Sequence, residues 1–209
     1  MKVGIIGAGT MGSGIAQAFA MTDGYEVCLC DIKEEYAEGG KAKIQKNMNF
    51  LVSKEKITQE KADEVMGKIT TGLNNICGEC DLIVEVALEK MEIKQAIFKE
   101  LQGIVKKDCM FASNTSSSLS ITEIGAGLDR PMIGMHFFNP ADRMKLVEVI
   151  RGENTPQDMV DKITKIAEEI GKTPVQVKEA PGFVVNRILI PMVNEAIGVL
   201  DAGTASAED

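Results

Sequence analysis

The feature that constrains this chain most lies at its start. A short apolar run, Lys2-Val3-Gly4-Ile5-Ile6, breaks directly into Gly7-Ala8-Gly9-Thr10-Met11-Gly12, and Ile15, Ala16, Ala18, Phe19 and Ala20 follow on a helix-like segment. Glycines so spaced between a strand and a helix permit a tight turn at Gly7, backbone approach of a pyrophosphate at Gly9 and close helix–sheet packing at Gly12. The helix then offers free N–H groups and the positive end of its dipole to the phosphates. Glu26 to Leu29 reads as a second strand, and Asp31 stands at its end. An acid roughly 20 residues past the first glycine can accept hydrogen bonds from ribose hydroxyls and would repel a 2′-phosphate. The opening therefore predicts a dinucleotide site built from Gly7, Gly9, Thr10, Met11, Gly12 and Asp31 that favours NAD over NADP.

Farther along, Glu34 to about Gly67 is rich in Lys and Glu, with Ile44, Met48, Leu51, Val52 and then Ala62, Val65 and Met66 at helical spacing. This predicts two exposed amphipathic helices, an insertion over about 34–68, rather than another strand. Strand-like runs return at Leu82 to Ala87, Met110 to Ala112, Met132 to Met135, Leu146 to Ile150 and Thr173 to Val177. Helices are expected over Met91 to Val105 and between Pro156 and Gly171, with a loop from His136 to Lys145. The fold class that follows is α/β: a Rossmann-type doubly wound sheet with a helical insertion and a C-terminal apolar helix.

That last helix differs in kind. From Phe183 to Leu200 apolar residues fall all round the helical wheel, so most of its surface requires cover. Asn186, Arg187, Asn194 and Glu195 rule out a membrane span, and Pro191 is expected to kink it. The expected organisation is a dinucleotide-binding domain over 1–180 and the start of a truncated C-terminal helical domain over 181–209. Cover for the helix would come from a further helical domain, a partner subunit in a homo-oligomer, or both.

With 209 residues, 44% of them apolar and 26% charged, the chain can build one packed core and does not read as disordered. A net charge of −8 argues against nucleic acid as a partner, since phosphate neutralisation needs a basic surface. The N-terminus shows no charged leader or transit segment, which predicts a cytoplasmic protein. Five cysteines (Cys28, Cys30, Cys77, Cys80, Cys109) lie in or beside apolar runs. They are read as reduced, buried thiols; Cys77-Gly78-Glu79-Cys80 has the spacing of a redox or metal pair, but no second pair or nearby histidine completes a zinc site, and no metal is expected.

His136, the only histidine, opens His136-Phe137-Phe138-Asn139-Pro140 at the end of a strand, the edge where open α/β sheets bind ligands. Oxidising an alcohol near neutral pH requires a proton acceptor, and imidazole is the suitable side chain. Glu148 sits within Leu146-Val147-Glu148-Val149-Ile150, where an ionised carboxylate needs a partner. It is either the partner of His136 or an outward-facing strand residue, and its neighbours alternate too weakly to decide.

Across essentially its whole length the sequence resembles the short-chain 3-hydroxyacyl-CoA dehydrogenase family. The likeness is carried by the glycine motif, Ser113-Asn114-Thr115-Ser116, Gly134-Met135-His136-Phe137-Phe138-Asn139-Pro140, Met144-Lys145-Leu146-Val147-Glu148-Val149 and Pro181-Gly182-Phe183-Val184-Val185-Asn186-Arg187. The resemblance implies NAD-dependent interconversion of a short-chain 3-hydroxyacyl-CoA, such as 3-hydroxybutyryl-CoA, and its 3-oxoacyl-CoA. It implies a catalytic pair in His136 and Glu148, with Ser116 and Asn186 bonding the reacting oxygen. Glu89, Lys94 and Asn139 are implied as cofactor contacts. Lys54 is either a CoA phosphate ligand or one more charge on a solvated face. Two departures stand out: Ser116-Ser117-Ser118 is a serine longer than the usual motif, leaving Ser116 or Ser117 as the active hydroxyl, and the family continues into a further helical domain. The rival expectation is a truncated NAD-binding module with little turnover that docks another polypeptide.

Overall fold

The computed structural model describes residues 1–116 and 118–209; Ser117 lies outside the described residues. In chain order the elements are β1 (Lys2–Ile6), α1 (Thr10–Ala20), β2 (Glu26–Cys30), α2 (Glu34–Ser53), α3 (Gln59–Gly67), β3 (Ile69–Gly72), β4 (Leu82–Glu85), α4 (Met91–Gln102), β5 (Met110–Ser113), α5 (Ile121–Ile124), β6 (Met132–Phe137), β7 (Leu146–Arg151), α6 (Gln157–Glu169), β8 (Thr173–Lys178) and α7 (Val185–Asp201).

The strands form a single sheet in the order β3-β2-β1-β4-β5-β6-β7-β8. All neighbours from β3 to β6 are parallel, β7 is antiparallel to β6, and β8 is parallel to β7. The winding reverses between β1 and β4, so the carboxyl ends of those two strands open the crevice where such sheets bind ligands. Helices cover both faces. Ile15 and Phe19 of α1, Ile44 and Met48 of α2, Val65 of α3 and Ile163 of α6 share one buried cluster. Phe98 and Leu101 of α4 and Ile121 and Ile124 of α5 share the other. Burial on both faces explains why the central strands read as continuous apolar runs.

The fold class is the expected one, and three local readings are corrected. A four-residue edge strand, β3, follows the helical insertion; only its first and last residues are buried, so no apolar run marked it. The chain leaves β6 later than expected: His136 and Phe137 belong to the strand, because the antiparallel ladder continues through His136↔Glu148 and Phe137↔Val147. Finally, Phe183 is not helical. It sits at φ 47°, only 3% exposed, in the core ahead of α7. Gly182 before it (φ +80°) must be glycine, since a Cβ there would lie 2.9 Å from the Arg187 backbone nitrogen.

Helix α7 runs through Pro191 without a break, and none of its residues is buried. Ile188, Ile190, Met192 and Ile197 are each about 60% exposed. Among the described residues, none supplies the cover that its composition demands.

Candidate active site

At the β1–α1 turn the three glycines divide the labour. Gly7 adopts φ +111°, and a Cβ on it would come within 2.7 Å of the Val86 carbonyl oxygen. At Gly12 a Cβ would fall 1.7 Å from the Gly7 carbonyl oxygen, so the helix can start this close to the turn only with glycine. Around Gly9 there is open space, with nothing within 4 Å of where a Cβ would be. Gly9 is the N-cap of α1 and no side chain caps the helix, nor does an acid occupy its first turn. The N–H groups and dipole of α1 thus face an unobstructed approach, which fits a pyrophosphate. Thr10 is exposed and Met11 half-buried at the same end. Asp31 Oδ2 accepts from the Ala8 N–H at 2.7 Å and Oδ1 from the Ile32 N–H at 2.8 Å, tying the end of β2 to the turn.

Beside this crevice, at the ends of β4 and β5, lies a buried ionic network. Lys94, 1% exposed, donates to both oxygens of the buried Glu85 (2.8 and 3.0 Å) and pairs with Glu89 Oε2 at 3.2 Å. Ser113 Oγ donates to Glu85 at 2.6 Å. Glu89 Oε1 accepts from Thr115 Oγ1 at 2.5 Å and from the Ser116 N–H at 3.0 Å. Burial alone would raise the Glu89 carboxyl, but the Thr115 hydroxyl and the Lys94 ammonium outweigh it and hold the group below its ordinary value. Glu89 is therefore an anion with a fixed orientation at the rim. Lys94, expected as a cofactor contact, is spent on carboxylates behind it.

The β6–β7 ladder brings the only imidazole against the carboxylate. His136 Nδ1 lies 2.8 Å from Glu148 Oε2, with His136 at 7% and Glu148 at 1% exposure. An ionised carboxylate only accepts, so Nδ1 carries the proton in the neutral ring and Nε2 has the free lone pair. Glu148 Oε1 accepts from the Val184 and Val185 N–H groups, each at 3.0 Å, at the start of α7. This locates the partner of the buried carboxylate and settles the alternative in favour of an inward-facing Glu148. One residue on, Asn186 Nδ2 donates to Ser116 Oγ at 3.4 Å. His136, Glu148, Asn186 and Ser116 are thus linked through the first turn of one helix.

Some neighbours had no expected role. The rings of Phe138 and Phe183 lie 4.7 and 5.7 Å from the imidazole and shield it from water. Asn114 Oδ1 accepts from the Phe137 N–H at 2.8 Å, fixing the end of β6. Lys172, which burial holds below the usual ammonium range, donates to the Ala141 and Met144 carbonyls at 2.5 and 2.9 Å, pinning the loop after His136. Only the motif context around Phe138, Phe183 and Asn114 hinted at them; a lone Lys172 ahead of β8 carries no signal. Asn139 is exposed on that loop. Lys54 is exposed just past α2, its Nζ 5.8 Å from the Phe50 ring centroid, on the helical arm rather than among the packed site residues.

An uncapped helix over a glycine turn, set beside a buried His–Glu pair, defines a dinucleotide-dependent dehydrogenase. The family model described as 3-hydroxyacyl-CoA dehydrogenase, NAD binding domain, matches residues 2–180, and that for the C-terminal domain of the same family matches 182–209. A 3-hydroxybutyryl-CoA dehydrogenase of Clostridioides difficile is 46% identical over all of this chain and 75% of its own length. One from Bradyrhizobium diazoefficiens is 41% identical over 99% of this chain and 71% of its own. The crystal structure of the (S)-3-hydroxybutyryl-CoA dehydrogenase of Ralstonia eutropha superposes with a TM-score of 0.95 at 42% identity, covering 99% of this chain and 74% of that one. The chain belongs to the 3-hydroxyacyl-CoA dehydrogenase family and is an NAD-binding oxidoreductase.

Proposed function

We propose that this protein interconverts a short-chain 3-hydroxyacyl-CoA, 3-hydroxybutyryl-CoA in the first instance, and its 3-oxoacyl-CoA, with His136 as the acid/base. The observation that carries this reading is the buried His136–Glu148 pair at 2.8 Å, anchored on α7. NAD, held by Gly7, Gly9, Thr10, Met11, Gly12 and Asp31 with Glu89 and Asn139 at the rim, supplies a hydride acceptor when bound. In the oxidation His136 Nε2 takes the hydroxyl proton, and Glu148 stabilises the imidazolium that results. Ser116 and Asn186, already within reach of each other, hold the reacting oxygen so that this proton transfer has a fixed geometry. Lys94 acts through Glu89 as a positioning residue.

Lys54 and the lysines of α2 give the acyl-CoA phosphates a local cation in an otherwise acidic chain. The exposed apolar surface of α7 is covered in the working enzyme by further helical structure or a second subunit. Among the described residues no helix is long and apolar enough to cross a membrane, and five unpaired cysteines suit the reducing cytoplasm. The test is NADH oxidation with acetoacetyl-CoA by this chain. Turnover abolished by His136→Ala with NADH affinity retained supports the assignment; turnover unchanged in that variant rejects it. NADH binding without any turnover would favour the alternative of a cofactor module that needs another polypeptide.

A further inference from the structure

One cluster of reactive side chains takes no part in the site above. Cys28 and Cys30, on one face of β2, meet Cys77, at the end of the short 3₁₀ turn Asn74–Cys77, and Cys80, just before β4. All four are at most 1% exposed. Gly4 on β1 makes room for them: a Cβ there would lie 2.9 Å from Cys77 Sγ and 3.4 Å from Cys80 Sγ. Cys30 Sγ and Cys77 Sγ are 3.5 Å apart. The Cys28 thiol is held below its usual range by thiol hydrogen bonds from Cys77 and Cys80, and the same contacts push those two thiols up. Among the described residues no group of three or more His, Cys, Asp or Glu is arranged to hold a metal ion.

We propose that Cys30 and Cys77 form a reversible disulfide that weakens cofactor binding. Closing the pair to bonding distance requires an approach of roughly 1.5 Å. The turn that carries Cys77 lies at the surface, with Leu73 and Asn75 exposed, and its opening admits a small oxidant such as hydrogen peroxide. The Cys30 sulfur attacks a peroxide oxygen, the O–O bond breaks, and hydroxide leaves a sulfenic acid on Cys30. The Cys77 sulfur then attacks Cys30 Sγ; the S–S bond forms, the S–O bond breaks, and the two thiol protons complete two waters. Two electrons pass from the thiols to peroxide. The consequence reaches the cofactor turn because the Cys30 carbonyl accepts the Gly7 N–H at 2.8 Å and the next residue is Asp31. Pulling Cys30 toward Cys77 strains the Gly7 hydrogen bond and the one that Asp31 accepts from the Ala8 N–H. The effect on binding rests on the cofactor site proposed above.

The test uses the whole chain. Peroxide-treated and dithiothreitol-reduced samples are alkylated, weighed intact and peptide-mapped, and NADH affinity is measured on each. NADH binding by the reduced protein checks the cofactor reading separately. Loss of two hydrogens, a Cys30–Cys77 cross-linked peptide and a severalfold weaker NADH affinity that dithiothreitol restores are expected. Cys30→Ser and Cys77→Ser should each abolish the effect, and Cys109→Ser should leave it. The proposal is overturned by an absent disulfide, by a bond that joins another pair, or by a Cys30–Cys77 bond with unchanged NADH affinity; the mapping needs no variant.

Discussion

Glu148→Gln tests the centre of the mechanism with one atom exchanged. The Val184 and Val185 N–H groups both point at Glu148 Oε1, at 3.0 Å each. They fix a glutamine there with its carbonyl toward α7 and its amide NH2 toward His136 Nδ1. That orientation makes Nδ1 an acceptor and forces the ring proton onto Nε2, where the hydroxyl proton must go. The variant also loses the attraction between carboxylate and imidazolium. For unit charges roughly 4 Å apart at an effective dielectric of about 20 this is about 4 kcal/mol, or roughly 1,000-fold in rate. The assay is steady-state oxidation of 3-hydroxybutyryl-CoA alongside an NADH titration and a thermal melt. We expect kcat to fall by two to three orders of magnitude, roughly in line with that interaction, with NADH affinity and folding kept. A kcat within about threefold of the parent, in a folded variant, would refute Glu148 as the partner that stabilises the imidazolium.

The two glycine variants should separate folding from binding. Gly9→Ala meets open space, so its Tm should hold while NADH affinity falls roughly tenfold or more as the methyl blocks the approaching phosphates; Gly12→Ala, whose Cβ would collide with the Gly7 carbonyl, should lose stability before affinity can be read. Lys94→Met leaves Glu85 buried without its ammonium and should cost about 3–5 kcal/mol, a fall of roughly 10 °C in Tm. Because the folded state depresses the Glu89 carboxyl, its contribution is complete above the ordinary carboxylate range and is lost as pH falls through the lower folded value. Thermal melts from neutral pH down to about pH 3 should therefore show a steeper acid loss in the parent than in Glu89→Gln.

What the sequence made legible follows the range over which each signal acts. Gly7, Gly9 and Gly12 carry their geometry within a few residues, so the cofactor turn could be read directly; the Cβ clashes at Gly7 and Gly12 express the same constraint in three dimensions. The parallel core was legible because burial on both faces leaves an apolar run. The edge strand β3, half exposed, left none. The residues alone left the pairing of His136 with Glu148 as one of two readings, because it depends on the register of β6 against β7 and on a ladder that continues past the expected strand end. The support of Glu148 by two backbone N–H groups near position 184 could not be foreseen at all, since a backbone donor has no residue type. That contact ties the start of α7 to the His136–Glu148 pair. A cover that docks on the apolar surface of α7 would act on the same helix that supports Glu148 and places Asn186 beside Ser116, so packing there is mechanically joined to the His136–Glu148 pair.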